Sequence, residues 1–407
     1  MDRPGGLAAA ISGSDGEIAV DIDRAADFNL AKVLKPVGEA YGLANPFYTD
    51  PDIFAAERES LFFSTWAAIG FDKDVPEPGS MYPVRFHGVP LVIVRGKDGA
   101  LRVFENVCRH RGMMLVGEPR ETSVIRCPYH AWTYGLDGRL RATPHVGGPG
   151  VHEHERICAD THSLNAVRSH VFLGVVFVNM SGDAPAFDDH ATTLLDRWSD
   201  FAGQQLYTAP DSGFSLSVAS NWKLAVENYC ESYHLPFIHP GLNSYSRLED
   251  HYNIEAPGTF SGQGTTVYNP QLDADGRRFR DFADLPEKWD RAADYVALYP
   301  NVLLGVHRDH IFAMILMPQD VARTQENVAI YYADAAMTDA AQADLRARNA
   351  AAWRAIFEED IAVVEGMQQG RAGRAFDGGV FSPVMDGPTH CFHRWAAERF
   401  IGGQASA

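Results

Sequence analysis

The chain has 407 residues, 46% of them hydrophobic and 22% charged, and a formal net charge of −18. That length predicts two domains rather than one core, and the composition is that of a globular protein. The acidic balance argues against nucleic acid as a partner, no apolar run reaches the roughly 20 residues that span a bilayer, and without a basic, apolar, small-residue leader pattern the expected location is cytoplasmic.

Residues 1–45 read as an N-terminal arm, dominated by Gly, Ala and Asp as far as Phe28, with a short helix expected over 26–34. Asp50 is a cap for a helix expected over 53–65. From Trp66 the pattern turns to β. Strands are expected over 82–86, 90–95 and 101–106, the last two joined at Asp98-Gly99, a turn that accepts positive φ. A short strand over 123–126 and a second Asp-Gly turn at Asp137-Gly138 follow, and a buried strand over 171–179 closes this region. Beyond a boundary near 183–185 the texture is mixed. Helices are expected over 192–201 and 222–233, and strands over 214–218, 310–317 and 327–333, the last two pairing through a loop at Pro318. A long Ala-rich helix over 339–369 has Thr338 as its cap. The expected division is an arm over 1–45, a first domain over 46–184 and a second over 185–407.

Cys108-Arg109-His110 is followed, after sixteen residues, by Cys127-Pro128-Tyr129-His130. Thiolates and neutral imidazoles bind zinc or an iron–sulfur cluster. Both clusters pair one Cys with one His, on loops delivered by hairpins and close to Gly112 and Gly135. This pattern favours a [2Fe–2S] centre with two thiolates on one iron and two imidazoles on the other over a structural zinc site. Cys158, Cys230 and Cys391 lack partners at metal spacing and are expected to be buried free thiols.

His234 and His239 form a second constellation, separated by Pro236, which interrupts the helix and lets the second imidazole swing toward the first. Two His and one carboxylate are the ligand set of non-heme Fe(II) sites that activate dioxygen. The carboxylate has to come from elsewhere, and the long helix offers Glu358, Glu359, Asp360 and Glu365. Tyr268, Tyr295, Tyr299, His307, Phe312 and Tyr331 are candidate pocket residues, although core positions explain the same aromatics.

With Arg111-Gly112 and Trp132, the first constellation resembles the Rieske domain of the Rieske non-heme iron oxygenases; Ala131 stands where glycine is frequent. The resemblance runs from Phe47 to Phe400, includes Phe392-His393-x-Trp395, and leaves out the arm. It implies an α+β chain: an all-β Rieske [2Fe–2S] domain, then a helix-grip-like catalytic domain built from an antiparallel sheet and a long C-terminal helix. Glu359-Asp360-x4-Glu365-x2-Gln368-x-Gly370 is similar to the family's late carboxylate motif, which implies Asp360 as the third iron ligand. Glu231 stands where the family carries an acidic residue that bridges the two metal sites between subunits, which implies a catalytic part in electron transfer. Many ring-hydroxylating members have Asp there. Glu231 with Asn228 looks more like the branch that oxidises quaternary ammonium and N-methyl compounds such as carnitine and betaines.

The resemblance implies a terminal oxygenase, a mono- or dioxygenase of a small organic substrate using O2. Its electrons would come from a separate NAD(P)H-dependent flavin and iron–sulfur reductase or a ferredoxin, since the chain has no dinucleotide fingerprint of its own. It also implies a homotrimer. One alternative is an aromatic ring-hydroxylating dioxygenase. Another, from a different class, is a Rieske electron carrier without oxygen chemistry, which leaves His234 and His239 without a use.

Overall fold

The computed structural model describes residue 28, residues 30–270 and residues 276–404. Most of the expected arm lies outside the described residues, as does the start of the helix expected over 26–34, of which one 3-10 turn, Leu30–Lys32, is present. Helix α1 (Pro51–Glu57) starts as expected, with the Asp50 carboxylate accepting from Asp52 N at 2.8 Å. It does not run regularly to residue 65, because Arg58–Phe63 forms a π-helical turn. The hydroxyls of Ser60, Ser64 and Thr65 donate back to the carbonyls four residues earlier and compete with the α ladder there.

The first sheet has seven antiparallel strands in the order β1-β10-β9-β4-β3-β2-β5: β1 (Ala67–Phe71), β2 (Ser80–Phe86), β3 (Val89–Arg95), β4 (Leu101–Glu105), β5 (Arg120–Glu121), β9 (Ala166–Phe172) and β10 (Val175–Asn179). Between β5 and β9, strands β6 (Ile125–Arg126), β7 (Thr133–Tyr134) and β8 (Leu140–Ala142) make a small separate sheet. The single strand expected over 171–179 is two, β9 and β10, folded back on each other at Leu173 and Gly174. Both residues have positive φ, 46° and 77°, so a hairpin forms where Leu173 gives no turn signal.

The second sheet also has seven antiparallel strands, ordered β11-β17-β16-β15-β14-β13-β12. They are β11 (Gly213–Val218), β12 (His251–Ala256), β13 (Phe260–Thr265), β14 (Ala293–Leu298), β15 (Val302–Val306), β16 (His310–Asp320) and β17 (Arg323–Tyr332). β16 and β17 run past Pro318, which the sequence places in a loop. Pro318 pairs with Thr324 beside a bulge, where its missing N–H is tolerated. The helices that carry and support the site are α2 (Trp222–Cys230), α3 (Leu235–Ile238), α4 (Ala343–Gly370) and α5 (Gly387–Gln404). α4 starts later than expected. Thr338 donates to Ala335 O in a preceding 3-10 turn and does not cap it.

The two sheets share one core. A single hydrophobic cluster draws Ala67, Phe86 and Ile93 from the first and Leu216, Val328 and Ile330 from the second. Polar contacts fix the same junction. Asn301 accepts from Ala68 N and donates to Ala68 O, both at 2.9 Å, in place of a strand partner. Tyr331 donates to Gly174 O at 2.9 Å, and its ring lies where a Cβ on Gly174 would be. Glu57 of α1 holds Lys223 and Trp222 of α2 in a fully buried ion pair and hydrogen bond.

Candidate metal centres

Cys108 and Cys127 open two loops of matching design. In each, the Cys carbonyl accepts from the N–H four residues on, Gly112 or Ala131, at 3.1 Å, and the Cys N–H donates to the carbonyl five residues on, Met113 or Trp132, at 2.8 Å. The closing residues, Gly112 and Ala131, take φ of 72° and 58°. Each loop therefore needs a left-handed residue at the same place, which is why a small one stands there.

Both thiols are buried at the base of the loops, whereas His110 is exposed and His130 half-buried. The imidazoles lie 4.7 Å apart, centroid to centroid, and His110 stacks on Trp132 at 4.8 Å. Tyr134 supports the base: its hydroxyl accepts from Arg109 N at 3.0 Å and lies 3.3 Å from Cys108 Sγ, a sulfur that as a thiolate can only accept. Burial, first of all, pushes the Cys108 thiol up, and the neighbouring Cys127 adds to this. His130 Nδ1 is buried and has no hydrogen-bond partner in the described structure. Two buried thiols beneath two imidazoles, one with an unsatisfied ring nitrogen, fit a cluster whose sulfur-held iron is inside and whose imidazole-held iron faces out.

The second constellation begins on α2, capped by Asn221, whose Oδ1 accepts from Lys223 N. The helix expected over 222–233 stops at Cys230. There Glu231 turns extended, and its carboxylate accepts from the N–H groups of Tyr233 and His234. Pro236 does not end this helix; it sits in the first turn of α3. Two breaks in the chain thus turn His239 toward His234, with ring centroids 5.1 Å apart.

Asp360 on α4 completes the group. Its Oδ1 is 3.0 Å from His239 Nε2 and 3.8 Å from His234 Nε2, and ligand atoms of all three residues lie within 4.8 Å of one another. The back nitrogens are held by carboxylates. His234 Nδ1 is 2.6 Å from Glu231 Oε1, and His239 Nδ1 is 2.7 Å from Glu359 Oε2. With Nδ1 donating outward, each Nε2 is left as a lone pair facing the same point. Asp360 Oδ1 is buried without a hydrogen-bond partner. These residues fit a divalent metal ion.

The other acidic candidates do different work. Glu358 pairs with Arg354 on the surface. Glu365 accepts from Ala219 N at 2.9 Å, and Gln368 accepts from Asn221 N at 3.0 Å and donates to Tyr48 O. This end of α4 is thereby clamped to the start of α2. The C-terminal motif has a similar role: His393 Nδ1 accepts from Leu43 N, and its Nε2 lies 3.2 Å from Glu227 Oε1. Burial works to raise Glu227, but His393 and Arg371 outweigh it and hold this carboxyl below its ordinary range.

A cavity of about 330 Å³, counting its mouth, lies between the second sheet and helices α2 and α4, with Asp360 on its wall. Of the pocket candidates, Phe312 lines neither it nor the surface. It packs with Tyr268, Tyr295 and His307 around Trp353, a residue the sequence did not single out. Tyr299 stacks near Trp395 and donates to Ser261, and Tyr331 belongs to the domain junction. Cys230 and Cys391 are buried free thiols; Cys158 is exposed, contrary to expectation, because it leads into a surface turn at Ala159–His162.

No helix among the described residues is long and apolar enough to cross a membrane. Residues 65–155 match the Rieske [2Fe-2S] domain family, and residues 205–402 the catalytic domain of the ring hydroxylating alpha subunits. The carnitine monooxygenase oxygenase subunit of Escherichia coli K12 is 29% identical over 359 residues, covering 84% of this chain and 87% of its own. The glycine betaine monooxygenase oxygenase subunit of Chromohalobacter salexigens is 33% identical over 243 residues, 59% of this chain and 52% of its own. The crystal structure of the quaternary ammonium Rieske monooxygenase CntA with an inhibitor shares the fold, at a TM-score of 0.74 and 24% identity over 91% of this chain and 98% of that one. The chain belongs to the Rieske non-heme iron oxygenases, as an alpha subunit with a [2Fe–2S] cluster and a mononuclear iron for cofactors.

Proposed function

We propose that this chain is the terminal oxygenase of a system that oxidises a quaternary ammonium or N-methyl amine. The observation that carries the reading is the convergence of His234, His239 and Asp360 beside a cavity lined mostly by apolar and aromatic side chains. The relatives whose names refer to carnitine and glycine betaine supply the substrate class. When bound, the iron supplies dioxygen activation, with electrons that reach the chain's [2Fe–2S] cluster from a separate NAD(P)H-dependent reductase.

Cys108, His110, Cys127 and His130 hold the cluster, and His234, His239 and Asp360 hold the mononuclear iron. Glu231 links them between subunits. One carboxylate oxygen is 2.6 Å from His234 Nδ1, and its side chain is 14% exposed, open to a His110 or His130 from another chain. Apolar side chains lie exposed near both ends of this path: Met113 and Tyr129 at the cluster tip, Tyr233 and Phe237 beside Glu231. Such patches are surfaces that association covers, and head-to-tail contact of one tip with the next chain's Glu231 closes most simply as a ring of three.

Hydroxylation of an N-methyl carbon consumes O2, two electrons and two protons and releases water. The resulting hemiaminal loses formaldehyde and a proton and leaves the demethylated amine. The test is a single turnover: the purified holoprotein is reduced chemically and exposed to dioxygen with betaines, carnitine-like amines or aromatic acids, and products are identified by mass. Formaldehyde with a demethylated amine is expected; a cis-diol or hydroxylated ring as the main product would reject the amine reading.

A further inference from the structure

Apart from the metal ligand Asp360, the other buried carboxylates among the described residues of the catalytic domain have their partners within the chain. Glu227 has Tyr48, His393 and Arg371, and Asp294 has Arg197 and Trp198. Glu326 does not. It lies on β17, opposite Leu216 of β11 and Leu316 of β16, and is only 6% exposed. Its side chain lines the cavity that also has Asp360 on its wall. Its carboxyl has no hydrogen bond or ion pair among the described residues, and no Lys, Arg or His lines the cavity with it.

The walls around this carboxyl are Val218, Leu303, Met314, Phe357 and Val364, with Tyr229 and Asn228 on α2. Apolar walls of this kind receive methyl groups, and Phe357 and Tyr229 add aromatic rings to the lining, a residue type that attracts cations. Asp360 is committed to the metal, so Glu326 is the one carboxyl left in the cavity's lining to meet a ligand. An unpaired buried carboxylate is costly, and burial with Asp360 nearby pushes Glu326 up to about 8. A cation entering the cavity would supply what the chain withholds.

Resting on the oxygenase reading above, we infer that Glu326 is the counter-ion of the substrate's ammonium group and sets the enzyme's preference for cationic amines. It holds the charged nitrogen in the cavity, so that an attached carbon faces His234 and His239, which flank α3, and Asp360 on α4. Glu326 is a specificity residue of binding and carries no proton in the reaction.

The test compares each cation with its carbon isostere in the anaerobic holoprotein by titration calorimetry: choline with 3,3-dimethyl-1-butanol, and glycine betaine with 3,3-dimethylbutanoate. The wild type is expected to bind at least one cation about tenfold or more tighter than its isostere. Glu326→Gln, which keeps the shape and the cavity, is expected to reduce that ratio to about threefold or less without weakening the isostere. No cation preference in the wild type, or a ratio unchanged in Glu326→Gln, would overturn the inference. Should Glu326→Gln lack the cluster spectrum of a folded protein, Glu326→Leu, uncharged and of similar volume among apolar walls, replaces it; a reduced ratio supports the assignment and an unchanged one rejects it. Formaldehyde release by the wild type is scored separately: demethylation with a Glu326-independent ratio removes this assignment and leaves the oxygenase reading standing.

Discussion

His239 and Glu359 meet at 2.7 Å, Nδ1 to Oε2, one residue before the Asp360 that approaches the other nitrogen of the same ring. Adjacent residues on α4 therefore address the two edges of one imidazole, and Glu231 does for His234 what Glu359 does for His239. Each ligand His is fixed in tautomer and orientation before any metal arrives.

Removing the Glu359 carboxylate is accordingly expected to loosen the mononuclear site alone. Glu359→Ala should weaken iron binding there by about 10–100-fold, while Glu359→Gln keeps an acceptor and most of the affinity. Chelator competition followed by iron analysis measures this. Equal affinities in all three proteins would mean that the contact does not orient His239.

Glu231→Ala separates holding a metal from passing an electron. With iron in excess, both metals should be retained and the visible spectrum of the cluster should be unchanged. Substrate-coupled reoxidation of the reduced cluster should slow by at least about tenfold. Stopped-flow absorbance follows that reoxidation directly. Loss of the cluster in this variant, or reoxidation at the wild-type rate, would count against the bridging role.

Ala131 occupies a left-handed position, φ 58°, that its twin Gly112 takes without steric penalty. The strain on a non-glycine residue there is about 1–2 kcal/mol, offset in part by the greater chain entropy of glycine, roughly 0.4–1 kcal/mol. Ala131→Gly should therefore stabilise the cluster loop by about 0.5–1 kcal/mol, and Gly112→Ala should destabilise its partner. Thermal unfolding of the holoprotein gives both signs, and a destabilised Ala131→Gly would contradict the loop argument.

The Glu57–Lys223 pair is fully buried, and burial pushes the Glu57 carboxyl up and the Lys223 ammonium down. Lys223→Met leaves the Glu57 carboxylate in the core with the Trp222 hydrogen bond but no counter-charge and should cost about 3–5 kcal/mol. The double variant Glu57→Gln/Lys223→Met should recover much of that loss. Denaturant unfolding of the four proteins forms the cycle; a double variant as unstable as the sum of the singles would mean the two groups do not act as a pair.

The cluster ligands were legible because each pair is contiguous and sits on a loop that Asp-Gly hairpins announce. His234 and His239 were legible as a pair, although the helix before them ends at Glu231 and not at Pro236. Asp360 could not be distinguished from Glu358 or Glu359 by spacing, since only tertiary packing decides which carboxylate of α4 faces the imidazoles. The strands β12 to β15 escaped notice for a related reason. Phe260–Thr265 carries Ser, Gly, Gln and Gly and has the composition of a loop, yet it is buried because Gly262 lets the neighbouring strand approach. Glu326 gave no signal at all, because an isolated acidic residue in a strand is ordinarily solvated.

The central claim is that one chain holds two separable iron sites, a cluster in the first domain and a mononuclear centre in the second. Metal and acid-labile sulfide analysis of the purified protein and of His234→Ala tests it most directly. The account predicts about three irons and about two sulfides per wild-type chain. In His234→Ala it predicts about two irons, an unchanged sulfide content and no oxygenation of any amine. Zinc in place of iron, no sulfide, or a variant that keeps all its iron and its turnover would contradict it.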